Sequence, residues 1–317
     1  MKIKVERKDN DNSYLLKIFD IAEFSIHDGP GIRTAIFFQG CNAQCDWCHS
    51  PHSQLQCAPL LFNPNICVKC KRCEQYCPTH AHSFQDGKHI INRKLCNQCG
   101  ICIDKCPNSI RGVKGSALHL PTVEVTTRSL FEQIDPYVRL NSKNGGITLS
   151  GGEALLQLDA AKEFLQFCKT KGYSTAVETS GLLPLETYLQ VMPLVDIWLF
   201  GARIITAKNN VRNGQHIDKM LSHLTASRAK IIPRIPMVPS FYDREEIMQS
   251  IACILKKHSI MTICFNPWNK DYDNYYRQSG IPLKMERPSD KEIKECETKI
   301  KSYFFNLNFK EYENIQV

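Results

Sequence analysis

Hydrophobic and polar positions along this chain follow two patterns, short β-branched or aromatic runs and longer segments with helical spacing. The predicted strands are 34–39, 146–150, 173–178, 196–200, 260–266 and 230–235, the last of which Pro233 is expected to break. The predicted helices are 123–140, 158–171, 184–192, 214–226, 244–258 and 290–303. Such alternation favours an α/β fold of parallel βα units, and six units would form an open or partial barrel with its chemistry at the carboxyl ends of the strands.

Length and composition narrow the class of protein. The chain has 317 residues, enough for about two domains or one larger α/β unit. Hydrophobic residues make up 43% and charged residues 23%, which excludes a disordered or fibrous chain. Mean hydropathy is -0.30, and no apolar run approaches the roughly 20 residues that span a bilayer. The polar N-terminal segment lacks the apolar core of a signal peptide, so we expect a cytoplasmic protein that binds no membrane.

Cysteine is the unusual component. Of the 16 cysteines, twelve lie between Cys41 and Cys106. In a reducing compartment such a set more often binds metal or does redox chemistry than forms disulfides. The other four are expected to be small buried hydrophobic residues: Cys168, Cys253, Cys264 and Cys296. This distribution predicts a cysteine-rich module, 57–118, inserted between the parts 14–56 and 119–317 of an α/β domain. The net charge of +8 carries little weight, because thiolate-bound clusters would lower it, and we expect no nucleic-acid binding.

The inserted module contains the same cysteine pattern twice. Two residues separate the first cysteine from the second and the second from the third, three residues separate the third from the fourth, and a proline follows. This spacing is that of two-cluster bacterial ferredoxins, in which the fourth cysteine of each run binds the other cluster. The predicted ligands of one 4Fe–4S cluster are Cys67, Cys70, Cys73 and Cys106, and those of the second are Cys96, Cys99, Cys102 and Cys77. Four cysteines also make a structural zinc site, which remains the alternative. Cys57 fits neither run.

A separate loop directly after the predicted strand 34–39 holds Cys41, Cys45 and Cys48. Three cysteines leave one iron of a 4Fe–4S cluster without a protein ligand, and an open coordination position is where metal chemistry takes place. The CxxxCxxC spacing with Trp47 before its last cysteine resembles the radical S-adenosylmethionine (SAM) superfamily. The resemblance implies that SAM binds the open iron through its amino and carboxylate groups and is split by one electron to methionine and a 5′-deoxyadenosyl radical.

Further segments resemble one group within that superfamily. Ser150-Gly151-Gly152-Glu153 follows a predicted strand, where the superfamily carries its glycine motif, and glycine permits close backbone approach. The segment HDGPGIRT at 27–34, followed by FFQGC, resembles the activating enzymes of glycyl radical enzymes, the group of pyruvate formate-lyase activase. A ferredoxin-like insert after the SAM-cluster loop is typical of many members, and the segments at 178–181 and 234–236 also match.

The resemblance implies the function and the site. The radical removes a Cα hydrogen from one glycine of a partner glycyl radical enzyme, and a flavodoxin or ferredoxin supplies the electron. We expect a monomer with three 4Fe–4S clusters. The implied SAM contacts are Trp47, Gly151, Gly152, Glu153, Glu178, Arg203, Arg234 and Asn269. Asp28 is assigned to positioning the partner's glycine loop, and stabilising the Asp-Gly-Pro-Gly turn is its alternative role.

Three departures from the family pattern concern the SAM pocket. Relatives carry Asp-Leu-Lys where this chain has Gly201-Ala202-Arg203, an aspartate at Glu178, and Pro-Tyr-His at 267–269. Arg203 can pair with a carboxylate, but its planar fork does not duplicate an ammonium. A monovalent cation site, which these positions build in some relatives, is therefore doubtful here. A radical SAM enzyme acting on a small molecule or RNA, and a cluster-bearing electron-transfer protein without SAM chemistry, remain the alternatives.

Overall fold

The computed structural model describes residues 11–141, 143–202, 210–227 and 229–312, without the side chains of 210–216. In chain order its strands are β1 (Leu15–Ser25), β2 (Arg33–Phe38), β3 (Leu61–Phe62), β4 (His82–Gln85), β5 (Lys88–Ile91), β6 (Leu118–His119), β7 (Val123–Thr126), β8 (Gly146–Gly151), β9 (Thr175–Thr179), β10 (Ile197–Gly201), β11 (Lys230–Pro236), β12 (Thr262–Asn266) and β13 (Lys310–Glu311). The helices are α1 (Arg72–Tyr76), α2 (Ile101–Lys105), α3 (Thr127–Asn141), α4 (Leu158–Thr170), α5 (Leu185–Val191), α6 (Asn210–Ala226), α7 (Glu245–Lys257), α8 (Asn274–Ser279) and α9 (Asp290–Asn306).

The main sheet has the strand order β13-β12-β11-β10-β9-β8-β2-β1-β7. The six strands from β12 to β2 run parallel, and they are the six that the hydrophobic pattern predicts. β1 pairs antiparallel with both β2 and β7, and β13 adds a parallel strand at the other edge. The α/β class with a parallel sheet is therefore confirmed. Parallel strands place all their carboxyl ends at one edge, where the loops after β2, β8, β9 and β11 meet.

Each face of the sheet has its own hydrophobic core. Trp198 and Phe200 of β10 pack with the helices on the outer face. Leu199 lies between them in β10 and points to the inner face. There it forms a smaller cluster with residues of the neighbouring strands, Ala176, Ile232 and Cys264. The period of two along each strand thus divides the side chains between the helices and the inner face. The polar residues of the site continue that inner row.

Two predicted boundaries are wrong. Residues 123–126 form β7 rather than the first turn of a helix, because they pair with 15–18 of β1, and α3 begins only at Thr127. Pro233 does not break β11, which continues to Pro236. Pro233 pairs with β10, but the pairing of β11 with β12 begins only at Arg234. The missing N–H of proline therefore interrupts no hydrogen bond between β11 and β12.

The cysteine-rich segment forms a small unit beside the sheet. β3 pairs with β6, and β4 and β5 form a hairpin. α1 and α2 each follow two cysteines of one run and contain the third. Leu60, Ile103 and Leu118 pack there with Cys73 and Cys102. Arg93 joins this unit to α8 by donating to the carbonyl of Gln278 at 2.7 Å. Among the described residues, none of the helices combines the length and the apolarity needed to cross a bilayer.

Candidate active site and metal centres

The loop after β2 brings three thiols to the carboxyl edge of the sheet. Burial raises the pKa of the Cys41 thiol to about 12, and the nearby Glu153, Cys48 and Cys45 act in the same direction. A thiolate at this position therefore requires a cation, which a metal centre supplies on binding. Soft thiolate donors fit iron–sulfur clusters, and this set offers three.

The turn after β8 holds the start of this loop. The Gly152 N–H donates to the Phe38 carbonyl at 2.9 Å, and the Glu153 N–H donates to the Gly40 carbonyl at 2.8 Å. A Cβ atom on Gly152 would lie 2.1 Å from the Gly40 oxygen. Gly151 has a φ of +103, and a Cβ there would lie 2.4 Å from the Phe38 nitrogen. Glycine is therefore required at both positions, because the backbone of β8 packs directly on the cysteine loop.

Aromatic side chains hold the far end of the loop. The hydroxyls of Tyr272 and Tyr276 donate to the Asp46 carbonyl at 2.9 and 3.3 Å. Trp47 packs against Phe241, with ring centroids 4.6 Å apart. Segments that follow β11 and β12 thus fix the position of the loop between Cys45 and Cys48.

A row of polar side chains lies on the inner face beside this loop. The Ser150 hydroxyl donates to Glu178 Oε2 at 2.6 Å, and Arg234 Nη1 donates to the same oxygen at 3.2 Å. Arg234 Nε donates to Asn266 Oδ1 at 3.0 Å. Gly201 stands opposite Arg234 in the β10–β11 pairing and adds no side chain to the row. β8, β9, β11 and β12 therefore each contribute one polar group to a single hydrogen-bonded set.

The loop between β1 and β2 brings Asp28 to this row. Its carboxylate accepts a hydrogen bond from Ser25, and its Oδ1 lies 4.0 Å from Arg234 Nη1. Burial raises the pKa of Asp28, and the like charge of Glu178 raises it further. The Asp28 carbonyl accepts from Thr148 Oγ1 at 2.6 Å, which fixes the loop on the sheet. Two carboxylates and one guanidinium are thus gathered where little water reaches them.

Glu153 joins two strand ends. It is wholly buried, and its Oε2 accepts from the Ser180 N–H at 2.8 Å and from the Ser180 and Thr179 hydroxyls at 2.7 and 3.0 Å. Asn269 lies in an exposed turn, where its Oδ1 accepts from the Asp271 N–H at 2.8 Å. Arg203 falls outside the described residues. The structure therefore brings Glu178 and Arg234 together and gives Glu153 and Asn269 other partners.

The first cysteine set of the small unit surrounds one cavity, which is lined by Cys67, Cys70, Cys73 and Cys106. Burial raises the pKa of the Cys73 thiol to about 12, and the thiols of Cys67, Cys106 and Cys70 act in the same direction. Four sulfur donors from both runs therefore share one site. Their softness fits a cluster of iron and sulfide.

The second set converges on Cys102. Burial raises the pKa of its thiol to about 12, and the other thiols that act on it are those of Cys96, Cys73, Cys99 and Cys77. Cys77 comes from the first run, whereas Cys106 at the first cavity comes from the second. Cys73 and Cys102 lie in one hydrophobic cluster, which brings the two sites close together.

A histidine pair borders the first cavity. His89 Nε2 lies 3.5 Å from Cys73 Sγ and 2.9 Å from His82 Nδ1. The His89 ring stacks on Phe84 with centroids 4.6 Å apart and an interplanar angle of 7°. Burial and, to a smaller extent, the charge of His82 lower the pKa of His89 to about 4, so the ring is neutral at physiological pH. A neutral ring held in this way has one N–H to donate.

Sequence reasoning did not single out Ser25, Asn266 or His89 as site residues. The first two carry a weak signal, since Asn266 ends a predicted strand and Ser25 lies three residues before Asp28. His89 carries no such sequence signal, because its partners come from the first cysteine run and from the opposite strand of the β4–β5 hairpin.

Known proteins are similar to this chain over most of its length. The family model described as a 4Fe-4S dicluster domain matches residues 66–110. The choline trimethylamine-lyase activating enzyme of Oleidesulfovibrio alaskensis is 31% identical over 314 residues, covering 92% of this chain and 96% of that protein. The chain belongs to the glycyl radical enzyme activating enzymes. Another relative of this activating enzyme is the trans-4-hydroxy-L-proline dehydratase activating enzyme of Clostridioides difficile, 33% identical over 91% of this chain and 97% of that protein.

A third relative is the pyruvate formate-lyase 2-activating enzyme of Escherichia coli, 30% identical over 85% of this chain and 82% of that protein. Membership of the family confirms the resemblance inferred from the cysteine loop and the HDGPGIRT segment. It also means that this activating enzyme works with an iron–sulfur cluster and SAM. The alternatives of a zinc module and a small-molecule radical enzyme lose their support.

Proposed function

We propose that this activating enzyme carries three 4Fe–4S clusters and converts one glycine of a large partner enzyme into a radical. Cys41, Cys45 and Cys48 hold the cluster that binds SAM. When bound, that cluster and SAM supply a 5′-deoxyadenosyl radical after one-electron reduction, with methionine as the other product, and the radical takes one hydrogen atom from the glycine Cα. The other clusters take the two crossed sets of four cysteines in the small unit.

The protein's own part in SAM binding is to fix the cysteine loop and to supply polar groups beside it. The glycines 151 and 152 let the backbone of β8 approach the loop and the cofactor. Glu178 offers a carboxylate in the polar row, oriented by Ser150 and Arg234. Arg203 and Asn269 stay predicted contacts of SAM, and Glu153 acts by joining the ends of β8 and β9.

Asp28 is proposed to position the glycine of the partner. The loop that carries it crosses the inner face, where a Cβ on Gly29 would lie 3.6 Å from Leu199 Cδ1. A glycine-bearing loop of the partner has no Cβ at the reacting carbon, so it can enter this confined space. Asp28 and the neighbouring backbone can hold its peptide groups by hydrogen bonds while Arg234 balances the carboxylate charge.

The proposed domains follow the separation between the main sheet and the small cysteine-rich unit. We assign 14–56 and 119–317 to a partial (βα)6 barrel of the radical SAM type and 57–118 to a ferredoxin-like insert. Six consecutive parallel strands and the separate core of the small unit support that assignment. A flavodoxin or ferredoxin is the proposed electron donor, and the enzyme is proposed to act as a cytoplasmic monomer.

The observation that carries this function is the three-thiol loop fixed against the glycine turn of β8. Its test is anaerobic reconstitution, reduction with dithionite, addition of SAM and of the glycyl radical enzyme encoded nearest this gene. We expect about 12 iron atoms per chain, 5′-deoxyadenosine in the product, and a glycyl radical signal by electron paramagnetic resonance. Deoxyadenosine without a radical on any glycine would exclude the activating role, and neither product would exclude SAM cleavage.

A further inference from the structure

Positive charge is concentrated in the cysteine-rich unit. Residues 57–118 carry nine of the chain's 40 Lys and Arg residues but only three of its 32 Asp and Glu residues. The unit is therefore strongly basic, while the rest of the chain is close to neutral. A basic surface attracts an acidic partner and speeds encounter with it.

The positive charge reaches the surface beside the first cavity. Residues 68–72, Val-Lys-Cys-Lys-Arg, are all exposed, and Val68 is 59% exposed. Lys69 and Lys71 both have left-handed backbones, with φ of 56 and 61, so the segment turns tightly around Cys70. Within the described ranges, Lys69, Lys71 and Arg72 form no ion pair with a carboxylate. The rim of this cavity is thus an uncompensated cationic surface with an exposed apolar side chain and an exposed thiol.

The matching segment of the second run lacks this surface. Its residues 97–101 are Asn-Gln-Cys-Gly-Ile, so Gln98 stands where the first run has Lys69 and Gly100 where it has Lys71. A Cβ on Gly100 would lie 2.5 Å from Arg111 Nη1, so the arginine covers that turn. Arg111 is itself neutralised by Asp104, with two hydrogen bonds between guanidinium and carboxylate. The two cysteine sets therefore differ in charge although their spacing is the same.

The structure also connects the first set to the SAM-cluster loop. Cys73 and Cys102 share one hydrophobic cluster, which links the first set to the second. Arg93 binds the carbonyl of Gln278 in α8, and Tyr276 of the same helix donates to the Asp46 carbonyl in the SAM-cluster loop. These contacts connect the unit that holds both cysteine sets to the SAM-cluster loop through Arg93 and α8.

We propose that the 68–72 surface is the docking site of an acidic one-electron donor protein, so that electrons enter through the cluster of Cys67, Cys70, Cys73 and Cys106. In this step the donor is oxidised by one electron and that cluster is reduced by one electron, with no bond made or broken. The inference rests on the proposed function, because it assigns the entry point for the electron that SAM cleavage consumes. Lys69 and Lys71 steer the donor, and Val68 supplies apolar contact at the centre.

The test compares two double variants with the same change of charge. Lys69→Gln/Lys71→Gln removes the cations of the first run, and Lys94→Gln/Lys105→Gln removes two lysines beside the second. The anaerobic reconstituted proteins are mixed with fully reduced flavodoxin in a stopped-flow instrument at low and at about 0.2 M salt. We expect the first pair to lower the second-order reduction rate about tenfold at low salt, with little salt dependence left, and the second pair to change it less than about twofold.

Reduction by dithionite, iron content and deoxyadenosine formation with dithionite are expected to match the wild type in both variants. Equal losses in the two pairs, or no loss in the first, would overturn the proposal. A first pair that keeps the flavodoxin rate but lowers glycyl radical formation would also overturn it, because the surface would then belong to the glycyl radical enzyme. Failure of the proposed function would be recognised differently. In that case wild-type protein reduced by dithionite would form no deoxyadenosine.

Discussion

Arg234 is the cation on which the buried polar row depends. It donates to Glu178 at 3.2 Å, to Asn266 at 3.0 Å and to the His27 carbonyl at 3.1 Å, and it lies 4.0 Å from the Asp28 carboxylate. The Arg234 side chain is only 11% exposed, and those of Asp28 and Glu178 are 12% and 15% exposed. Arg234→Gln therefore leaves two like charges together with little access to water.

The expected cost follows from these contacts. Breaking a buried pair by removing one partner costs about 3 to 5 kcal/mol, and we expect about 3 kcal/mol because Asp28 can take up a proton. Burial and Glu178 already raise the pKa of Asp28, and loss of Arg234 raises it further. An acid with a raised pKa in the folded state stabilises the fold fully below its ordinary pKa and loses that contribution as pH rises through the raised value. The variant should therefore be least stable, relative to wild type, at high pH.

The assay is urea unfolding of the anaerobic reconstituted protein, followed by circular dichroism at about pH 8 and about pH 5.5. Lys291→Gln is the control, because its pair with Glu295 lies at the surface, with side chains 84% and 65% exposed, and its loss should cost less than about 0.5 kcal/mol. Adding Glu178→Gln to Arg234→Gln should recover part of the loss by removing one charge. A cost below about 1 kcal/mol at high pH, or the same cost at both pH values, would refute the reasoning.

Variants at three other positions test separate parts of the site. Gly152→Ala puts a methyl group 2.1 Å from the Gly40 oxygen. We therefore expect the free energy of unfolding in urea to fall by about 2 kcal/mol and SAM binding, measured by equilibrium dialysis, to weaken. Unchanged SAM binding would count against the role of this turn. His89→Phe keeps the stacked ring but removes the N–H near Cys73 Sγ, so in a spectroscopic redox titration one cluster should become about tenfold harder to reduce, about 60 mV more negative. His89→Gln should restore part of that shift, and an unmoved potential would contradict the hydrogen bond. Cys45→Ala should abolish deoxyadenosine formation and lower the iron content by about four atoms, and persistent cleavage would refute the assignment of the catalytic loop.

Local pattern was enough to predict much of the fold. Each of the six parallel strands is a short run rich in apolar residues, and helices follow β8, β9, β10, β11 and β12, so most of the βα order can be read along the chain. The errors lie where long-range pairing decides the structure. Residues 123–126 have helical spacing, but they extend the sheet because β1 offers an edge to pair with. β1 itself was not predicted, because its eleven residues mix apolar and charged positions and its pairing with β2 contains register shifts.

The site likewise has one part that local sequence predicts and another that depends on pairing between distant strands. Cysteine spacing predicted the sets that line the first cavity and gather around Cys102, because three members of each set lie within one turn of the chain. The resemblance named Glu178 and Arg234, but their hydrogen bonds to Ser150 and Asn266 could not be read from sequence, since these residues come from four strands and meet only through the register of the sheet. Asn269 illustrates the limit: three residues earlier, Asn266 holds the position beside Arg234. A one-dimensional match to the family located the strand end but not the side chain.

The open iron of the cluster held by Cys41, Cys45 and Cys48 is the most direct point to test. The measurement is electron–nuclear double resonance on the reduced protein, with SAM labelled by nitrogen-15 in its amino group. We predict a hyperfine coupling between the labelled nitrogen and the cluster that disappears in Cys45→Ala. A reduced wild-type cluster with no coupling to the labelled SAM would contradict the assignment of this loop as the site of radical formation.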